Sequence, residues 1–275
     1  MMLLVHALEK GMSFPYKRPG WGGEKAYRLC TVVKEYLSLY GMSEECQSAV
    51  CVLDAYLRDK DACKERSVTS SILELTMQNQ GRLFKERGGV KKVHSPKPFD
   101  QSEILRFFES RHSVRSFSDE PVTEEELNLA LSISRLTPTA CNRQSSRVYT
   151  IADKNLMRQV LEAQLGDQGW CMNAAALYII TGKMTCFGNL YERQQVYIDG
   201  GLFAMNFVYG LHLAGLATCF KMFVREPRLQ KEMRQLCGIP ANEVPIVLVL
   251  AGHYPNQDSL SPISWRIGYA PISVS

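Results

Sequence analysis

Arg111-His112-Ser113-Val114-Arg115-Ser116-Phe117, Glu120-Pro121-Val122-Thr123-Glu124-Glu125-Glu126-Leu127 and Thr137-Pro138-Thr139-Ala140-Cys141-Asn142-Arg143-Gln144 follow one another in the middle of this chain. Arg111, Ser113 and Arg115 alternate, so in extended backbone they share one face. Two guanidinium forks and a hydroxyl on one face suit a phosphate, because Arg presents fixed donors and never loses its charge. Taken alone, the run also reads as a solvated basic turn. The third run adds the amide side chains of Asn142 and Gln144, whose donors and acceptors suit the edge of a polar ring system.

Working outward, the second half alternates helices and strands. Asp100 and Glu103 form a capping pair before Ile104, Phe107 and Phe108, and Thr123 with Glu126 forms a capping box. Residues 147–152 read as a strand, and Asp153 caps a helix to about Leu165. Residues 174–181 are an apolar run of strand length, Leu190–Leu213 a long helix, and Leu216–Met222 a strand. Pro227 opens a last helix that Gly238 ends, and Val244–Ala251 is continuously apolar, as in a strand covered on both faces.

Upstream, the pattern is helical. Leu29, Val33, Leu37 and Tyr40 form one stripe stopped by Gly41, Ser43 caps a second helix, and Ser67 caps a third reaching to about Glu86. Gly88 to Pro98 reads as a linker, which divides the chain into a helical region at 1–95 and a second domain at 96–275. His6-Ala7-Leu8-Glu9-Lys10-Gly11 and Arg18-Pro19-Gly20-Trp21-Gly22-Gly23 read either as a helix end with an irregular loop or as part of a substrate pocket.

Composition narrows the function classes. The net charge is +4 with no long Lys/Arg block, so nothing points to a nucleic-acid partner. The nine cysteines contain no Cys-x-x-Cys pair and match no zinc or iron–sulfur spacing; they are expected to be reduced thiols of a cytoplasmic protein, with no metal site. Residues 200–220 carry no Asp, Glu, Lys or Arg, enough length to raise a membrane span, but Asn206, His212 and four glycines favour a buried or dimer-interface helix.

The order of the three central runs resembles the opening of the FMN-dependent nitroreductase family, over roughly residues 104 to 254. The resemblance implies an α+β fold, a central mixed sheet flanked by helices, built as a homodimer with FMN at the interface. It implies that Arg111, Ser113 and Arg115 hold the FMN phosphate and that His112 contacts the ring or ribityl chain. Asn142 and Gln144, after the Pro138 turn and Thr139, match the family's Ser-x-x-Asn-x-Gln segment, which contacts flavin from the partner subunit. Ser145-Ser146 stands where the family has Pro-Trp.

Gly215-Leu216-Ala217-Thr218 is similar to the family's Gly-Leu-Gly-Thr turn, which brings a backbone amide to the reactive ring nitrogen; Gly215 is equally a helix C-cap. Arg266 stands near the basic residue that closes over the phosphate, and is otherwise a surface Arg. The implied activity is ping-pong transfer of two electrons from NADH or NADPH through FMN to a small organic acceptor, without an acid–base dyad. The competing expectation is a flavin-binding protein without nicotinamide-driven turnover.

Overall fold

The computed structural model describes residues 1–163, 169–223 and 226–268, with Lys85 by its backbone alone. The chain divides into two units: residues 1–98 with 139–144, and residues 99–138 with 145–275.

The first unit is helical: α1 (Met2–Ser13), α2 (Gly23–Tyr40), α3 (Glu44–Arg58) and α4 (Arg66–Gln78). Ser43 caps α3 as expected, its hydroxyl accepting the Cys46 N–H. Val5, Leu8, Leu29, Val33, Val50, Leu53, Tyr56, Ile72 and Leu75 form its core. Tyr56 organises one end. Its ring meets Trp21 edge-on at 5.1 Å, and its hydroxyl accepts the Cys63 N–H at 3.0 Å and donates to the Trp21 carbonyl. A Cβ at Gly11 would lie 2.2 Å from the Trp21 ring. Gly11 is therefore a close-packing position, and α1 runs past it to Ser13 instead of ending there.

Two local expectations are corrected. The N-cap of α4 is Glu65, and Ser67 lies inside the first turn with its hydroxyl donating to the Glu65 carboxylate. The helix stops at Gln78 because the Asn79 amide takes the Leu75 carbonyl at 2.8 Å. Gly88 then packs on α3, where a Cβ would stand 2.9 Å from the Ser48 carbonyl, and the Gly89 N–H donates to Glu9.

Asp59 ties the segment after α3 to Lys17 and accepts the Asp61 N–H at 2.9 Å. Burial alone pushes its carboxyl up, but the bonds from Lys17 and the Asp61 N–H, with the charge of Lys17, hold it below the ordinary range. A depressed folded-state value adds stability above the unfolded value, near pH 4, and that stability is lost as pH falls through the folded value. Asp59→Asn is expected to cost about 1.5–3 kcal/mol at pH 7 and progressively less below about pH 4. Paired melting curves at pH 7 and pH 3 test this; a constant difference would refute it.

The segment Thr139–Gln144 belongs to this unit and packs on α1. Cys141, Asn142 and Gln144 take φ of 51°, 51° and 49°, left-handed values unusual for residues with a Cβ. The Thr139 hydroxyl braces the turn by accepting the Gln144 N–H at 3.1 Å.

The second unit contains α5 (Gln101–Ser110), α6 (Glu124–Ser134), β1 (Ser146–Ile151), α7 (Lys154–Ala163), β2 (Ala176–Lys183), α8 (Gln195–Leu213), β3 (Ala217–Met222), α9 (Pro227–Cys237) and β4 (Glu243–Gly252). Asp100 and Thr123 cap as read from the sequence, the latter in a full capping box. Asp153 caps α7 through the Leu156 N–H, and position 165 lies outside the described residues.

The four strands pair antiparallel in the order β1-β2-β4-β3. The expected mixed character rests on one parallel bridge, Ser113 with Thr218, beside β3. Strand alternation divides the apolar runs between two cores. Leu177, Ile179, Leu248 and Leu250 meet Met157, Leu161 and Met233 on one side. Tyr178, Ile180, Val249 and Ala251 meet Ala204, Phe207, Val208 and Leu211 of α8 on the other. This is an α+β sandwich of helices over both sheet faces.

The charge-free stretch thus divides between α8, which covers one face of the sheet, and β3, with Gly215 at the turn between them. Gly210 lets α8 touch α6, since a Cβ there would be 2.5 Å from the Ala130 Cα. Among the described residues, no helix is long and apolar enough to cross a membrane.

Candidate functional site

The central arginine run owes its placement to the sheet. α5 ends at Ser110, and Arg111 is already extended at φ −77°, ψ 114°. The Val114 N–H then donates to the Thr218 carbonyl at 3.0 Å, docking the run beside β3. Val114 and Phe117 turn into the core, being 3% and 8% exposed. By alternation about Val114, Arg111, Ser113 and Arg115 take the opposite face; Phe117 shares their parity and is buried all the same, so the alternation ends before it.

That face lines a cleft of about 500 Å³, together with His112, Glu109 and Phe108, Met205 and Tyr209 of α8, and Ser261, Ser264 and Arg266 from the C-terminal segment. The volume is in the range of small-ligand sites. The cleft therefore brings together five of the residues singled out from the sequence: Arg111, His112, Ser113, Arg115 and Arg266.

The guanidinium groups are oriented locally. Arg115 donates to the Ser113 carbonyl at 3.2 Å and stands 5.7 Å from the Trp170 ring. Ser261 donates to the same carbonyl at 3.4 Å, and Arg266 donates to the Ser264 carbonyl. Three guanidiniums face one carboxylate, Glu109, which leaves the lining strongly positive. Below the run, burial pushes the Cys219 thiol up despite the pull of Arg115 and Lys221, which keeps it protonated.

The remaining candidates do not line this cleft. Pro138 is exposed at the end of the α6 connection. Thr139, Asn142 and Gln144 lie in the first unit, with Asn142 and Gln144 exposed on the left-handed turn. Gly215 has φ 83°, and the Leu216 N–H bonds the Leu211 carbonyl at 3.0 Å. This is the hydrogen bond of a Schellman cap, so the C-cap reading of Gly215 holds, with Leu216 buried beneath it.

Sequence reading did not single out Phe108, Tyr209 and Trp170. Their rings wall or brace the cleft, with Phe108 and Tyr209 edge to face at 5.0 Å. Helical spacing marked Phe108 only as apolar, and nothing local ties Trp170 to an arginine far along the chain.

Comparison with known proteins bears on the same region. The model described as Nitroreductase family matches residues 108–168. An Archaeoglobus fulgidus protein assigned the name NADH dehydrogenase/NAD(P)H nitroreductase is 26% identical over 157 residues, 57% of this chain and 87% of that protein. A Bacillus subtilis FMN reductase [NAD(P)H] is 30% identical over 69 residues, 25% of this chain and 27% of its own length. A Parabacteroides distasonis structure assigned the first of these names superposes with a TM-score of 0.52 at 17% identity, covering 60% of this chain and 94% of that one; this likeness shows the fold. The stretch matched by the family model contains Arg111, His112, Ser113 and Arg115, and the chain is similar to proteins named as nitroreductases in sequence and in fold.

Proposed function

We propose that this protein is an FMN-dependent oxidoreductase that passes two electrons from NADH or NADPH to a small organic acceptor in ping-pong fashion. The observation that carries the reading is the cleft in which Arg111, Arg115 and Arg266 converge with Ser113. A flavin phosphate bears close to two negative charges, which this donor set matches in charge and geometry. FMN, when bound, supplies the hydride chemistry. The chain's own residues anchor and orient: the arginines take the phosphate, and His112 reaches the ribityl chain or ring. Asn142 and Gln144 contact the ring edge from the partner subunit, Pro138 and Thr139 shape that turn, and Gly215 and Leu216 present backbone amides.

A homodimer fits the apolar surface of α8, where Ile198 and Leu202, four residues apart, are 52% and 51% exposed. Nine free thiols fit a reducing cytoplasm.

The test is an absorbance spectrum of the purified protein, taken alone, with FMN, and then with NADPH or NADH. Flavin bands that bleach with a nicotinamide are the expected result. Bands that never bleach would favour a binding protein, which Ser145-Ser146 and Ala217 in place of the family's residues would explain. No flavin uptake would overturn the cofactor assignment.

A further inference from the structure

We propose that His212, on the last turn of α8, is a positioning residue for the anion-gripping run, acting through the end of α5. The inference rests on the reading of the arginine cleft as an anion site. His212 Nε2 lies 2.8 Å from the Ser110 hydroxyl, and the ring also bonds the Phe107 backbone. Ser110 in turn donates to the Phe107 carbonyl at 3.0 Å. The Phe107 ring stands 5.1 Å from the imidazole. Ser110 is the last residue of α5, and Arg111 follows it directly. α8 thus grips α5 at the point where the chain leaves the helix for the cleft, and one turn earlier Tyr209 packs on Phe108 in the cleft wall. Arginine forks grip a phosphate well only when their backbone is fixed.

The grip is also sensitive to charge. Burial holds the His212 imidazole below its ordinary range, and the positive charges of Arg111 and His112 add to this, while the Phe107 carbonyl opposes them. An anion on Arg111 offsets that repulsion and favours the protonated ring. By reciprocity, protonation of His212 favours the anion, so its contribution to affinity grows as pH falls through its titration.

The experiment is a titration with FMN by fluorescence quenching, and with inorganic phosphate by NMR, from pH 5 to 8. It uses the wild type, His212→Ala and His212→Gln. His212→Ala is expected to weaken FMN binding about tenfold, and His212→Gln, which keeps a neutral partner for Ser110, to recover part of that. The phosphate group titrates in the same window. The informative quantity is therefore the difference between profiles: the affinity advantage of the wild type over His212→Gln should grow as pH falls. Wild-type binding with unchanged affinity and profile in both His212 variants would make His212 a core residue only and overturn the proposal. A wild type that binds neither FMN nor phosphate would instead remove the anion reading, and the proposal with it.

Discussion

Arg111→Ala and Arg115→Ala should each lower FMN affinity roughly ten- to hundredfold, the consequence of losing a charge-assisted contact of about 1.5–3 kcal/mol. The two should differ in character. Arg111 is half-buried at the mouth of α5, where water replaces its charge poorly, whereas Arg115 is exposed and braced by Trp170 and the Ser113 carbonyl. Arg115→Lys should therefore fail to restore full affinity, since an ammonium lacks the planar fork that stacks and bonds together. Flavin content of the purified variants and fluorescence titration measure the effect. Unchanged content in both alanine variants would withdraw the phosphate assignment.

The largest expected stability effect lies beneath the cleft. Phe207 is fully buried and meets Tyr178 of β2 edge to face at 5.0 Å, joining α8 to the sheet. Phe207→Ala is expected to cost about 3–5 kcal/mol, the sum of lost apolar transfer and an incompletely collapsed cavity. For a unit of this size the melting temperature should fall on the order of 10 °C. Flavin affinity measured well below that melt should change less than in the arginine variants, because Phe207 faces the sheet and not the cleft. A melting temperature equal to the wild type would mean that α8 is not held by this contact.

Most of the element boundaries were legible because they are local. Ser43, Asp100, Thr123 and Asp153 each satisfy backbone groups within a few residues of themselves, Pro227 opens α9 where its missing N–H costs nothing, and the structure uses all five as read. Ser67 misled because Glu65, two residues earlier, takes the cap position and then the serine hydroxyl itself. Gly11 and Gly88 misled for a different reason. Each accommodates a distant neighbour, Trp21 or α3, so the missing Cβ serves packing and marks neither a helix end at Gly11 nor the start of a linker at Gly88.

The cleft residues followed the same division. Arg111, Ser113 and Arg115 were legible from alternation alone, while Arg266 entered only through resemblance and shares their cleft. His212 was hidden, because a histidine in an apolar run carries no sign of a serine 102 positions away. The position of residues 139–144 was equally hidden, since nothing in their composition marks them as packing on α1.

That last placement bears on how the gene can be divided. The chain enters the first unit at its start and visits it again for six residues between α6 and β1. The N-terminal helices are thus not a cassette that recombination could add to or strip from a finished enzyme at one junction. A transcript lacking them would still encode Cys141, Asn142 and Gln144, now without the helix against which their left-handed turn is packed. Selection on that turn and selection on α1 are therefore one pressure. Substitutions that loosen either are expected to be compensated in the other, across more than a hundred intervening codons.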